Sequence, residues 1–366
     1  MIMESEKKVV IAMSGGVDSS VAAALLVEQG YSVTGMMLKL WSDECEEAEN
    51  ACCPPEAIDQ ARQVANIIGI PFYVLDVQEI FKQIVVDSFI TSLNLGLTPN
   101  PCYLCNKNIR WGIFLDRVLD SGYEYFSTGH YARVTFDGTY YQLHKGVDPK
   151  KDQSYVLSGL DQTQLSHSIF PLGGFTKVEV REMAHKFNLP VAEKQDSQDL
   201  CFIGKSGYRD FLRRHSQTAF LPGNIINLEG AIVGKHDGLS NFTIGQRKGL
   251  GAGNEEPVYV IDKDISTNEL IIGTLDHLGR SRFSVTDVNW IAGKEPETEF
   301  DCFVKIRYKA VPVKAHVIPS VENKLTVEVD HPLRDITPGQ IAVFYQEDNV
   351  LGSGMINKVI VRGEKI

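Results

Sequence analysis

Short apolar runs and longer helical patterns alternate through the first part of the chain. Lys7–Met13, Ser32–Lys39, Pro71–Val77 and Tyr125–Gly129 are short runs that predict strands. Between them, Ser19–Gln29, Pro55–Ile68, Ile80–Leu93 and Asn108–Asp120 carry helical patterns, with Gly30, Gly69 and Gly122 as stops. A β-α-β-α order predicts an α/β domain with a parallel sheet covered on both faces. After about Arg214 the helical periodicity fades and Pro222, Gly223, Gly230, Gly234 and Gly238 crowd the chain. From Arg282 onward the pattern becomes short alternating segments: Phe283–Val288, Phe300–Tyr308, Val311–Val317, Lys324–Val329 and Ile341–Tyr345. Strands this short and close predict a small β-barrel or sandwich. The expected division is an α/β domain over residues 1–214, a small central α+β domain over 215–280 and a C-terminal β-barrel over 281–366.

Composition narrows the class. The chain has 366 residues, 43% of them hydrophobic, ordinary for globular domains. It has no apolar run long enough to span a membrane, and Met1–Val10 lacks the apolar region of a signal peptide, so a cytoplasmic protein with no membrane partner is expected. The net charge of -11 argues against a generic nucleic-acid coat but leaves room for a local basic face. Part of the acidity falls in Asp43–Glu49, which reads as a solvated loop. There are seven cysteines, an odd count that speaks against a structural disulfide framework.

The strongest local signal is Ser14-Gly15-Gly16-Val17-Asp18-Ser19-Ser20, set between the first strand and the first helix. The glycines permit a tight turn and close approach of a ligand, and the helix N-terminus behind them favours an anion. Asp18 would repel a bare phosphate and makes sense beside a cation such as Mg²⁺. A Walker-type Lys followed by Ser or Thr is missing, which argues against γ-phosphate transfer. A plain Gly-Gly turn with serine caps is the bland reading. The loop resembles that of the N-type ATP pyrophosphatases, whose Rossmann-like domain splits ATP between the α- and β-phosphates. That resemblance implies ATP contacts from Ala12, Met13, Ser14, Gly15, Gly16, Val17, Asp18, Ser19, Leu38 and Gly129.

Two further stretches carry sulfur. Thr98-Pro99-Asn100-Pro101-Cys102-Tyr103-Leu104-Cys105-Asn106-Lys107 sets Cys105 just ahead of a helix expected to begin near Asn106 or Lys107. A helix N-terminus and a nearby lysine both lower a thiol pKa. Lys194–Gly204 is a polar loop with Cys201 flanked by apolar residues. Alone, Cys201 reads as a small buried hydrophobe, and Cys102 with Cys105 as half a zinc site. No second Cys-x-x-Cys or matching His pair is present, so no metal ligands are assigned on that account.

Taken in order, these motifs with Thr128-Gly129-His130-Tyr131, Lys151–Tyr155, Asp199–Gly204 and Gly245–Gly251 resemble the tRNA-specific 2-thiouridylase family, from about Val9 to Tyr345. The resemblance implies an enzyme that adenylates C2 of the wobble uridine with ATP and replaces its oxygen by sulfur, releasing pyrophosphate and AMP. It implies that Cys201 carries a persulfide, that Cys105 is the nucleophile, and that the cycle ends in a Cys105–Cys201 disulfide. Asn100, Pro101 and Cys102 would border the target base. His130, Lys151, Asp152, Gln153, Arg307, Tyr308 and Gln340 would touch tRNA, whose anticodon loop is the expected partner together with a cysteine desulfurase or sulfur-relay donor. Many members have Asp at the position of Cys102, where it is a candidate proton acceptor. Three thiolates at Cys102, Cys105 and Cys201 could alternatively hold an iron-sulfur cluster. Lys150, Arg213, Arg214, Arg247, Lys248, Lys305, Lys309 and Lys314 add short basic clusters, which equally suit an ordinary solvated surface. Gly245–Gly251 suits either a closing loop or a plain hairpin.

Two other classes share some of these features. A small-molecule amidating synthetase would share the phosphate loop but leave Cys105 and Cys201 unexplained. A non-catalytic RNA-binding protein would leave Asp18 and the loop serines unexplained.

Overall fold

The computed structural model describes residues 7–41, 43, 55–195, 200–204, 207–216, 220–250, 257–320 and 323–359. Most of the acidic run Asp43–Glu49, Cys45, Cys52, Cys53, the Asp196–Asp199 part of the third motif, and Gly251 lie outside them.

The first part is a five-stranded parallel sheet in the order β3-β2-β1-β4-β7. Its strands are β1 (Lys8–Ala12), β2 (Ser32–Lys39), β3 (Phe72–Asp76), β4 (Tyr125–Thr128) and β7 (Ser168–Ile169). β1 is central, and Val9, Val10 and Ile11 are fully buried, as expected of a parallel strand covered on both faces. Helix α1 (Val17–Glu28) is nearly all Ala, Leu and Val and buries most of its length. Helix α2 (Pro55–Ile68) is amphipathic and buries Ala57, Ala61, Val64 and Ala65. The strand order runs outward in both directions from β1 and β4. Ligands in such sheets bind outside the carboxyl ends of the strands at that switch point.

Two helices contain π-helical turns. Helix α3 spans residues 78–94, with Lys82–Val86 wound as π-helix. Helix α4 covers 101–120 with a kink at Gly112, whose φ -89, ψ -106 is non-helical, and its Cys105–Phe114 part is wound as π-helix. Pro101 occupies the first turn of α4, where its missing N–H costs nothing. The helix therefore begins ahead of both cysteines, earlier than the predicted start near Asn106.

A hairpin of β5 (Ala132–Phe136) and β6 (Tyr141–Lys145) leaves the parallel sheet and joins a second one. Short helices α5 (Ser154–Leu157) and α6 (Gln162–Ser166) follow, then α7 (Lys177–Lys186) and α8 (Tyr208–His215). Strands β8 (Gly223–Ile226), β9 (Ile232–His236), β10 (Tyr259–Asp264) and β11 (Glu269–Gly273) form a separate sheet in the order β10-β11-β8-β9.

The C-terminal part holds β12 (Arg280–Trp290), β13 (Phe300–Lys305), β14 (Val313–Ser320), β15 (Lys324–Leu333), β16 (Ile341–Gln346) and β17 (Asn349–Val359). β12 pairs with both β15 and β17, so the six strands close into a barrel. Inward positions alternate along β15, where Leu325, Val327 and Val329 are buried with Phe283, Val304, Val317 and Phe344. The predicted strand at Val311 begins at Val313, because Pro312 interrupts the pairing. Arg307 and Tyr308 fall in the turn after β13, not in the strand.

Candidate active site

The phosphate loop lies at the switch point. Gly15 has φ +68, and a Cβ there would stand 2.5 Å from the Ala57 carbonyl oxygen, so the position requires glycine. The serines knit the loop together: the Ser14 N–H donates to Ser19 Oγ at 3.1 Å, and Ser20 Oγ donates to the Gly16 carbonyl at 2.9 Å. Gly129, at the end of β4, presses on the first turn of α1. A Cβ there would lie 2.7 Å from the Ser19 nitrogen. Ala12 pairs with both Met36 and Thr128, and buried Leu38 lies on β2 beside it. The predicted ATP residues thus gather around one strand end.

Two lysines to which the sequence motifs give no role reach this loop. Lys177 Nζ donates to both Asp18 oxygens at 2.7 and 2.9 Å, and the Tyr131 hydroxyl donates to Asp18 Oδ1 at 2.7 Å. The cation expected beside Asp18 is thus supplied in part by the protein. Lys194 Nζ donates to the Gly15 carbonyl at 3.0 Å, tying the segment that leads to Cys201 onto the phosphate loop. Thr176-x-x-Glu179 marks the start of α7 by its capping box. No local pattern, however, links Lys177 to a residue 159 positions away.

The thiol segment is pinned at its head and from the barrel. Asn100 caps α4, its side chain accepting from the Tyr103 N–H at 3.1 Å, and its amide also reaches the Tyr155 hydroxyl. That hydroxyl donates to the Ile341 carbonyl at 2.6 Å. Thr98 N–H donates to the Pro338 carbonyl at 2.9 Å, and Gln340 Nε2 donates back to the Thr98 carbonyl at 2.9 Å. Tyr103 Oη and Ser353 Oγ share a hydrogen bond at 3.3 Å.

Cys102 is open to solvent and Cys105 is buried. Enough protein surrounds Cys102 that burial pushes its thiol up to about 11, with Cys105 adding to the rise and Arg110 opposing it. Cys105 is also raised by burial, and the Arg110 guanidinium opposes this through its charge and a hydrogen bond to the sulfur. The sequence expectation of a thiol lowered by the helix N-terminus and Lys107 is therefore corrected. Burial dominates, and the opposing cation is Arg110. A thiol held near 11 stays protonated at neutral pH, so resting Cys102 does not reproduce a carboxylate base.

Cys201 is half-buried against the same apolar cluster that contains Cys105. Its neighbour Phe202 is buried against Phe81, Phe89 and Phe211, with ring centroids 6.1, 5.3 and 5.6 Å away. Both cysteines are free thiols. No group of three or more His, Cys, Asp or Glu among the described residues is placed to hold a metal ion. The three-thiolate cluster set out as an alternative therefore finds no support.

Several residues expected to touch tRNA are occupied by the protein. Asp152 is buried and accepts from the Gly146 and Ser154 N–H groups at 3.2 and 3.0 Å. Gln153 Oε1 accepts from the Tyr131 N–H at 3.0 Å. His130 Nδ1 lies 2.7 Å from Thr128 Oγ1 and its ring packs on Trp111, 5.7 Å away. Burial first, and Arg110 second, lower the His130 pKa to about 3. Lys151 is half-buried in the turn that Asp148 organises. Arg307 pairs with Asp335. Tyr308 feels the charges of both Asp152 and Cys102, and the Lys305 ammonium sits 5.6 Å from its ring. The turn after β13 thus approaches the head of α4.

Three family models match the chain in order. One described as a tRNA methyl transferase HUP domain matches residues 7–205, one as a PRC-barrel domain 209–274, and one as an aminomethyltransferase β-barrel domain 280–356. The tRNA-specific 2-thiouridylase MnmA of Chloroflexus aurantiacus is 47% identical over 351 residues, covering 95% of this chain and 98% of its own. The chain belongs to the tRNA-specific 2-thiouridylase family. A second 2-thiouridylase, from Carboxydothermus hydrogenoformans, is 44% identical over 357 residues, covering 96% of this chain and 98% of its own. A solved 4-thiouridine synthetase–RNA complex with bound ATP is far more remote: 18% identity, TM-score 0.34, covering 53% of this chain and 44% of that one. Such a likeness carries no argument about activity.

Proposed function

We propose that this chain converts the wobble uridine of cytoplasmic tRNA to 2-thiouridine, using ATP and a sulfur atom handed over by a cysteine desulfurase or relay protein. The near full-length relationship to curated 2-thiouridylases supports this reading most directly. No helix among the described residues is long and apolar enough to cross a membrane.

The C2 oxygen of uridine is a poor leaving group. Its attack on the α-phosphate of ATP expels pyrophosphate and leaves an O-adenylate. The β1–α1 turn receives the phosphates, with the N–H groups of α1 facing them. Asp18, whose carboxylate accepts from Lys177 and Tyr131, is the residue that would hold an Mg²⁺ ion brought with ATP. Bound there, Mg²⁺ would offset phosphate charge. The terminal sulfur of a Cys201 persulfide then adds to C2 and AMP departs. The Cys105 thiolate attacks the Cys201 sulfur, the S–S bond breaks toward the base, and a Cys105–Cys201 disulfide forms as C2=S is completed. The target base must leave its stack to reach this point, which is easier in an anticodon loop than in a duplex.

Asn100, Pro101 and Cys102 border the base in this reading. His130, Lys151, Asp152, Gln153, Arg307, Tyr308 and Gln340 shape or line the tRNA face. Residues 1–214 carry the chemistry, with 215–280 and 281–366 framing the RNA. The test is thiolation of unmodified tRNA under anaerobic conditions, with Cys102, Cys105 and Cys201 each changed to Ser. Activity should vanish at Cys105 and Cys201 and survive at Cys102. Full activity of the Cys201→Ser protein would overturn the assignment.

A further inference from the structure

The π-helical turn of α4 solves a geometric problem. At 3.6 residues per turn, positions five apart point roughly 140° away from each other. A π turn, closing on the fifth residue, brings them to one side. Cys105 and Arg110 are five apart and both lie in the π-helical segment Cys105–Phe114. The Arg110 side chain donates a hydrogen bond to the Cys105 sulfur.

We infer that Arg110 is the positioning residue for the nucleophile, holding the Cys105 sulfur in place and favouring its thiolate when attack is due. The inference rests on the proposed role of Cys105. Cys102, which is destabilised as a thiolate by Cys105, and His130, which the guanidinium helps keep neutral, also feel Arg110. A neutral His130 adds no second positive charge, and among the described residues the side-chain cation acting on Cys105 is Arg110. Burial raises this thiol, and the Arg110 guanidinium opposes the rise.

The experiment is alkylation of Cys105 by iodoacetamide from pH 6 to 10, quantified by mass spectrometry of the Cys105 peptide, in a Cys102→Ser background. Arg110→Gln should slow alkylation on the order of tenfold or more at pH 7.5 and move the profile to higher pH. Arg110→Lys should recover most of the rate. If glutamine prevents folding, judged by circular dichroism, Arg110→Met with its unbranched apolar stem takes its place. An unshifted profile without the guanidinium would overturn the inference, as would a lysine protein as slow as the glutamine one. Thiolation by Cys105→Ser separates the two readings. If that protein still thiolates tRNA, the nucleophile assignment fails while the Arg110 effect on the profile stands or falls by itself.

Discussion

At the scale of single residues, the site depends on close contacts that admit no extra atoms. Gly129 abuts backbone atoms of α1, with the Ser19 nitrogen and the Asp18 carbonyl carbon 2.7 and 2.8 Å from where a Cβ would be. Neither can rotate away. Gly129→Ala is expected to cost about 1–3 kcal/mol of stability and to weaken ATP binding at least tenfold. Thermal melts and isothermal titration with ATP measure the two effects. His130 makes a different prediction. Its folded pKa, about 3, lies below its unfolded value of 6.5. Its contribution is therefore fully present above pH 6.5 and is lost as pH falls toward 3, because the unfolded chain takes up the proton first. The stability difference between wild type and His130→Phe should change by up to about 1.4 kcal/mol per pH unit below pH 6.5. Urea unfolding at pH 7.5, 6 and 5 checks this; a constant difference would contradict it.

At the scale of elements, the segment from Thr98 into the head of α4 is held by the segment Pro338–Gln340 ahead of β16. Gln340→Ala removes the bond to the Thr98 carbonyl, at a cost of about 1 kcal/mol. It should depress thiolation while leaving ATP affinity unchanged, since the phosphate loop lies elsewhere. Equal loss of both would argue against a local role. The alternation of apolar runs made β1, β2, β3, β4, α1 and α2 legible, because each is dominated by burial with a local period. The helix containing the cysteines was legible only in part. Its π-helical turn leaves no periodic mark, so neither its start at Pro101 nor the meeting of Cys105 with Arg110 could be read. The same holds for Lys177 and Lys194: a salt bridge to Asp18 or a hydrogen bond to the Gly15 carbonyl, each across more than a hundred positions, leaves no trace in either neighbourhood. The hairpin β5–β6 was also missed, since an outlying hairpin resembles any surface turn.

At the scale of the whole molecule, a chain with net charge -11 must hold tRNA through a restricted basic face. Affinity should therefore fall steeply between 50 and 200 mM salt, and Lys309→Gln should lower the logarithmic salt slope by about one. Filter binding with unmodified tRNA measures it, and a slope near zero would rule out phosphate contacts as the main attraction. The sheet that spans the halves has a further implication. β6 pairs with β17 through Leu143 with Val350 and His144 with Asn349. The brace on the thiol segment likewise comes from Pro338, Gln340 and Ser353. A ribosome needs about ten to forty seconds to make the roughly 200 residues between these partners. During that interval the nascent chain carries its cysteines without their clamp, and without Ile341, Val343, Tyr345 and Val350, which complete the core around Cys105. A message broken before codon 340 would yield a chain whose thiol segment lacks both its brace and part of its core.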